Sequence, residues 1–334
     1  MDLYLKNQLE LFSANYQGIR KDFIWNDNMT KRLAASLYAL EGKPINVENI
    51  KRCHQMIKKE VGIFSSLRGS LSVYLAAALS LRVDPERVLS DTLEAYKLLR
   101  KAKFHAGDYL VPAAFEIAIH GEKKRFEEIV SRAREFYTGM RKNHRLHIGQ
   151  DDYIYSVMLA LSPLEVATGV ERVRLIFEEL RKNFGPFKSS NSILSLAQML
   201  AVSGDPNKEE AIDFTPLIKL KNKLKKSKVR LDQTYTLPSL GILGQLPLEN
   251  EEIAQNLIEA RDFLRQQKGF SAFSVTNQEL LMYAVSGISK TFADDQGDEV
   301  KMSLANNVTS LIVAQQVAMM VVIISASTAS SAGR

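Results

Sequence analysis

Apolar positions in this chain recur three and four residues apart over long stretches, the spacing that gives a helix one buried face. Tyr153, Ile154, Val157, Met158 and Leu161 form one short, almost wholly apolar stretch. Asp151 or Asp152 ahead of it is placed to act as an N-cap, its carboxylate accepting from first-turn amides. Ser162-Pro163-Leu164-Glu165 then predicts the start of a longer amphipathic helix. It reads as a capping box with proline in the first turn, where a missing N–H costs nothing. Short apolar helix, turn and long amphipathic helix together make a helical hairpin.

The hairpin repeats. An apolar residue followed by a basic one closes each long segment: Ile57-Lys58, Leu99-Arg100, Met140-Arg141, Leu180-Arg181, Leu224-Lys225 and Leu264-Arg265, with the basic residues 42, 41, 40, 44 and 40 positions apart. A period near 41 lies in the range of two- and three-helix solenoid units. Pro44, Pro85, Pro163, Pro206 and Pro247 recur at the matching internal position. The expected architecture is an all-α solenoid of about seven hairpins in one domain, 1–330. An N-terminal capping helix over 2–18 precedes hairpins at about 26–60, 66–103, 108–142, 151–184, 190–226, 233–268 and 275–330, and 331–334 is a frayed tail. Pro216 and Pro238 fall inside predicted helices; Pro216 should kink or split 211–226 near Thr215. Strand signals do not recur.

Composition fits a globular chain: 334 residues, 46% hydrophobic and 25% charged, allow a sizeable core. The lone Cys53 rules out an internal disulfide framework and fits a reducing compartment. The first residues lack a basic-then-apolar secretory pattern, so the expected location is cytoplasmic. The run 308–326 carries Gln315 and Gln316 as its only strongly polar residues and is nearly long enough to cross a bilayer. A buried terminal helix is preferred over a tail anchor, because the glutamines sit mid-segment and flanking aromatics are missing.

Chemistry is sparse. His105, Asp108, His147 and Asp152 lie in two neighbouring inter-hairpin loops and are the candidate metal ligands; His120 and His144 lie nearby. Imidazole and carboxylate suit a divalent metal, and a metal-dependent hydrolase is the enzyme alternative. No zincin motif accompanies them, and caps and helix ends account for the same residues. Cys53, between Ile50 and Ile57, reads as a buried thiol. Gly241-Ile242-Leu243-Gly244 sits in an apolar helical context that does not suit a phosphate cradle. No cofactor is expected.

Two basic features remain. The segment 219–230 carries seven positive charges and offers itself to an anionic membrane or to nucleic acid. Leu220 and Leu224 point instead to a helix anchored on the core with solvated lysines, and stacking aromatics are missing, which disfavours nucleic acid. Lys58, Arg100, Arg141, Arg181, Lys225 and Arg265 complement the C-terminal end of each long helix, and repetition of the helix alone repeats the charge. Stacked in a row, the six would also form a ridge for a protein or peptide partner.

Residues 28–39 (Asn28 to Ala39), Gly62-Ile63-Phe64-Ser65-Ser66-Leu67-Arg68-Gly69 and His147-Ile148-Gly149-Gln150-Asp151-Asp152-Tyr153 resemble the bacterial family called domain of unknown function 4003, and the likeness runs over essentially the whole chain. The resemblance implies a bacterial, Gram-positive origin and carries over no catalytic residue, substrate or cofactor. The resulting expectation is a non-catalytic binding or scaffolding module.

Overall fold

The computed structural model describes residues 1–24, 26–62, 65–185, 188–203, 214–231, 236–246 and 248–294. Among the described residues there are fourteen α-helices and no strand. They are α1 (Leu3–Ile19), α2 (Asn28–Leu40), α3 (Val47–Glu60), α4 (Ser72–Ser80), α5 (Pro85–Lys101), α6 (Leu110–His120), α7 (Phe126–Asn143), α8 (Tyr153–Leu161), α9 (Val166–Phe184), α10 (Ser190–Ser203), α11 (Thr215–Lys226), α12 (Leu237–Leu243), α13 (Asn250–Gln266) and α14 (Asn277–Asp294). The fold is all-α, built from successive packed helix pairs of the α-solenoid kind.

The described residues divide into two compact units. The first comprises Met1–Gln17, Tyr38–Pro44 and the described part of Val173–Gln315; the second comprises Gly18–Leu37 and Ile45–Arg172.

Within the second unit, short apolar helices alternate with long amphipathic ones. Every residue of α4 is buried, as are 110–118 of α6 and 153–160 of α8. The long helices α5 and α7 bury one face only, through Val88, Leu89, Ala95 and Leu99, and through Ile129, Ala133, Phe136 and Met140. Two layers result: α6 packs on α8 inside, while α3, α5 and α7 pack side by side outside. The closest packing joins each long helix to the short helix after it, α3 to α4, α5 to α6 and α7 to α8. Small side chains permit that approach: Ala76, Ala77, Ala113 and Ala114 are fully buried.

In the first unit α1 packs against the C-terminal helices. The Phe12 ring lies 5.3 Å from Phe270 and 4.6 Å from Tyr283, and Tyr16 meets Phe270 edge-on at 5.2 Å. Gly241 of α12 faces α10, where a Cβ would sit 2.7 Å from Leu196 Cδ1. The glycine thus serves helix packing.

The apolar member of every repeat marker is a core anchor. Ile57, Leu99, Met140, Leu180, Leu224 and Leu264 are each at most 1% exposed, and full burial of such a side chain contributes about 1.5–3 kcal/mol. Helix starts follow the punctuation in two places: Asp84 accepts from the Arg87 amide at 2.9 Å ahead of Pro85, and Asn46 accepts from the Asn49 amide at 2.9 Å.

Elsewhere the structure differs from the sequence expectation. Ser162 closes α8 instead of opening α9: its Oγ donates to the Leu159 carbonyl at 2.7 Å, and α9 begins at Val166. Asp152 reaches back, Oδ2 accepting from the Gly149 amide at 2.7 Å, and makes no cap bond to α8. Pro238 stands in the first turn of α12, where proline fits, and breaks no helix interior; Pro216 stands in the first turn of α11, which begins at Thr215, where the sequence places a break, while 211–213 lie outside the described residues. Pro206, Pro247, the apolar run 308–326 and the tail 331–334 lie outside the described residues.

Candidate functional site

Long helices α3, α5 and α7 of the second unit all end at the same side, where inter-hairpin loops connect them to the next short helix. Each last turn carries two adjacent bases: Lys58-Lys59, Arg100-Lys101 and Arg141-Lys142. Glu60 is the one acid in those three turns. All six basic side chains are exposed, and the loops add exposed Lys103 and Arg145.

Local backbone chemistry sets these bases in place. After α5 the Lys103 amide donates to the Arg100 carbonyl at 3.0 Å and the Phe104 amide to the Leu99 carbonyl at 3.1 Å. This is a Schellman ending, with Lys103 at φ 66° in the left-handed position that favours glycine. Phe104 is fully buried in a cluster with Tyr153 at 4.9 Å and Tyr137 at 5.6 Å, and the Arg134 guanidinium stacks over Phe104 and Tyr137. Arg100 Nη1 donates to the Phe104 carbonyl at 2.6 Å, tying the loop to its own helix.

The six predicted ridge residues therefore divide by role. Arg181 is half-buried and donates to the Lys188 carbonyl at 2.8 Å. Arg265 is also half-buried, and its guanidinium serves the Phe270 carbonyl at 2.9 Å, the Val275 carbonyl at 2.8 Å and Asn277 Oδ1. Both secure loops of the first unit. Arg100 combines a loop bond with exposure, while Lys58, Arg141 and Lys225 are exposed and make no side-chain hydrogen bond or ion pair among the described residues. The sequence reading passed over Lys59, Lys101 and Lys142. The signal was there, since a second base follows the marker base in five of the six repeats.

No acidic side chain among the described residues pairs with Lys58, Lys59, Arg100, Lys101, Lys103, Arg141, Lys142 or Arg145. Burial pushes the Asp108 carboxyl above its ordinary range, with a hydrogen bond from Ser70 opposing, and burial raises Asp151 against a bond from its own backbone. His54 on α3 registers the positive field: burial, then Lys58 and Arg68, pull its pKa down to about 4.

His105, Asp108, His147 and Asp152 are held by separate local contacts. The His105 amide donates to Tyr153 Oη at 3.2 Å, Asp108 takes the Ser70 hydroxyl, the His147 amide donates to the His144 carbonyl at 2.8 Å, and Asp152 turns to Gly149. Among the described residues no three His, Cys, Asp or Glu side chains converge so as to hold a metal ion. Cys53 is fully buried, and burial pushes its thiol pKa up, the environment of an inert side chain.

The basic helix α11 is anchored by buried Leu217, Leu220 and Leu224. Part of its charge is used internally: Lys221 Nζ sits 4.1 Å from the Phe184 ring centroid and Lys223 pairs with Glu251 at 2.7 Å. Among the described residues no helix is long and apolar enough to cross a membrane.

A family model described as Protein of unknown function (DUF4003) matches residues 15–317. No curated protein and no solved structure matches the chain.

Proposed function

Because the chain belongs to the DUF4003 family, whose description names no activity, we propose from its surface chemistry that it is a non-catalytic binding module for an acidic protein or peptide segment. The observation that carries this reading is the cationic side of the second unit, formed by the ends of α3, α5 and α7 and the loops after them, whose bases pair with no acid among the described residues. Like charges gathered without counter-charges repel one another, so they lower stability unless a partner supplies the missing anions. Exposed bases on packed helices give such a partner a fixed, repeated row of contacts without any rearrangement. The buried Cys53 agrees with work in the cytoplasm.

The test uses the full chain and a fluorescently labelled glutamate-rich peptide. Lys59→Glu, Lys101→Glu and Lys142→Glu are combined, because these side chains make no hydrogen bond or ion pair among the described residues, so their reversal removes no contact of the fold, and an unfolding curve for the variant checks the remaining helix-end effect. The expected result is saturable binding by the natural sequence that weakens as salt screens the charges, and at least a tenfold loss in the triple variant, about 1.4 kcal/mol. Equal affinity in the two proteins removes the proposal.

A further inference from the structure

We infer that the acidic segment bound on the cationic side of the second unit carries a large apolar side chain beside its carboxylates, and that this side chain packs on Leu146. The inference rests on the binding-module reading and adds a second chemical requirement to its ligand.

Leu146 lies just past the end of α7 in a turn built to present it. His144 and Ile148 are buried and fix the two ends, and the His144 carbonyl accepts from the His147 amide at 2.8 Å and from the Ile148 amide at 3.1 Å. Between these anchors Leu146 is 89% exposed. Turn tips ordinarily take glycine, asparagine, aspartate or serine, which suit the backbone there and lose nothing to water. A leucine in that place breaks the local rule and gives the fold little packing in return, a conflict that marks a site kept for something other than stability. The first unit contains the same device. There the Ser271 carbonyl accepts from the Ser274 and Val275 amides, each at 3.0 Å, Phe270 and Val275 are buried, and Phe273 at the tip is 104% exposed. Two turns with one bonding pattern each put a large apolar side chain at their third residue, so the exposure of Leu146 is not an isolated accident of the surface.

Charge names the occupant. Arg141 and Lys142 in the last turn of α7, and Arg145 beside Leu146 in the turn, are exposed and pair with no acid among the described residues. An apolar contact ringed by bases fits a ligand that is apolar at one residue and anionic at its neighbours: the apolar pair excludes water, and the surrounding charges steer and orient. A purely acidic segment would leave Leu146 in water, and a purely apolar one would leave the bases unmet. An anionic bilayer offers both chemistries but fits less well, because one leucine side chain is far shorter than a myristoyl chain, which by itself holds a protein only marginally.

The experiment titrates two labelled glutamate-rich peptides of equal length and charge into the full chain at low salt, one with a central leucine flanked by glutamates and the other with serine in its place. Both are measured against the natural sequence and against Leu146→Ser, which removes no buried contact and whose folding is checked by an unfolding curve. The expected result is at least fivefold tighter binding of the leucine peptide by the natural sequence, with Leu146→Ser binding both peptides alike, at the affinity of the natural sequence for the serine peptide. Equal binding of the two peptides by the natural sequence, or a leucine preference that survives in Leu146→Ser, overturns the Leu146 contact while the acidic-partner reading stands. Flotation with phosphatidylserine vesicles is the third arm: co-flotation that is lost in Leu146→Ser, with no preference between the peptides, assigns Leu146 to a lipid surface and overturns the inference. Failure of both peptides to bind overturns both readings.

Discussion

At the short-turn end of the second unit, Lys123 reaches Asp91 at 2.7 Å and Glu94 at 3.1 Å, Arg125 meets Glu128 at 2.9 Å, Lys124 meets Glu122 at 2.9 Å and Arg87 meets Asp91 at 3.3 Å. Hydrogen bonds to Asp91 and Glu94 hold the Lys123 pKa up, and the bond to Glu128 does the same for Arg125. At the long-loop end, the bases closing α3, α5 and α7 meet no acid among the described residues. Both ends are rich in Lys and Arg, so composition does not separate them. Pairing does: among the described residues one end has its charges paired within the fold, and the bases of the other meet no acid.

The largest test of this contrast is structural. Arg132 on α7 donates to the carbonyls of Ala160 at 3.1 Å, Ser162 at 3.1 Å and Leu164 at 2.8 Å, holding the turn between α8 and α9. Arg132→Ala strips three carbonyls of a charged donor, and at roughly 1 kcal/mol net per bond the expected loss is about 3 kcal/mol. Arg141→Ala, nine residues along the same helix at the opposite end, should change stability by no more than about 0.5 kcal/mol. Urea unfolding of the two variants decides between them, and comparable losses would show that the long-loop end is as structurally committed as the other.

Much of this was legible in the sequence, for identifiable reasons. The 3.6-residue apolar period is imposed by burial, so the helix pairs could be read from Leu99 or Met140 and their neighbours. Asp84-Pro85 marked a helix start because cap and proline agree there. Ser162-Pro163 carries similar marks and misled, since a serine hydroxyl both donates and accepts, and here it donates backward to Leu159. Pro238 misled because proline reads alike inside a helix and in its first turn, whereas Pro216 marked the place where α11 begins, at Thr215. For the candidate site, the sequence aligned six basic residues but could not reveal that Arg265 serves its own loop while Arg141 stays exposed. That depends on where carbonyls of the following loop lie. His105, Asp108, His147 and Asp152 had the right chemistry for a metal, but convergence on one point is a property of side-chain direction that spacing does not encode.

A smaller effect should run in opposite directions for stability and binding. Lys103 holds φ 66° at the end of α5, a conformation costing a non-glycine residue about 1–2 kcal/mol, from which the extra chain entropy of unfolded glycine must be subtracted. Lys103→Gly should therefore raise stability by about 0.5–1 kcal/mol while weakening the acidic peptide. If peptide affinity is unchanged, Lys103 does not belong to the binding side, and the cationic surface shrinks to the helix ends.

The finest probe is His54, whose imidazole reports the field of the unpaired end. It sits one turn from Lys58 on α3 with the Phe23 ring edge-on at 5.3 Å, and burial, Lys58 and Arg68 in that order lower its pKa to about 4. An unfolded chain takes up the proton near its ordinary value of about 6.5, before the folded one does, so acid favours unfolding through this group. Its contribution to stability is present above about 6.5 and is lost as pH falls towards 4. Lys58→Gln removes one of the two charges and leaves burial unchanged, so the His54 pKa, followed by NMR titration of its ring protons, should rise by a few tenths and remain far below the ordinary value. The acid slope of the melting temperature should flatten in parallel. Adding salt should raise the pKa in the natural sequence more than in the variant, because the charge being screened is the one removed. A His54 pKa that responds to neither salt nor Lys58→Gln would mean that burial alone sets it, and that the bases at this end are already neutralised by groups of the chain itself.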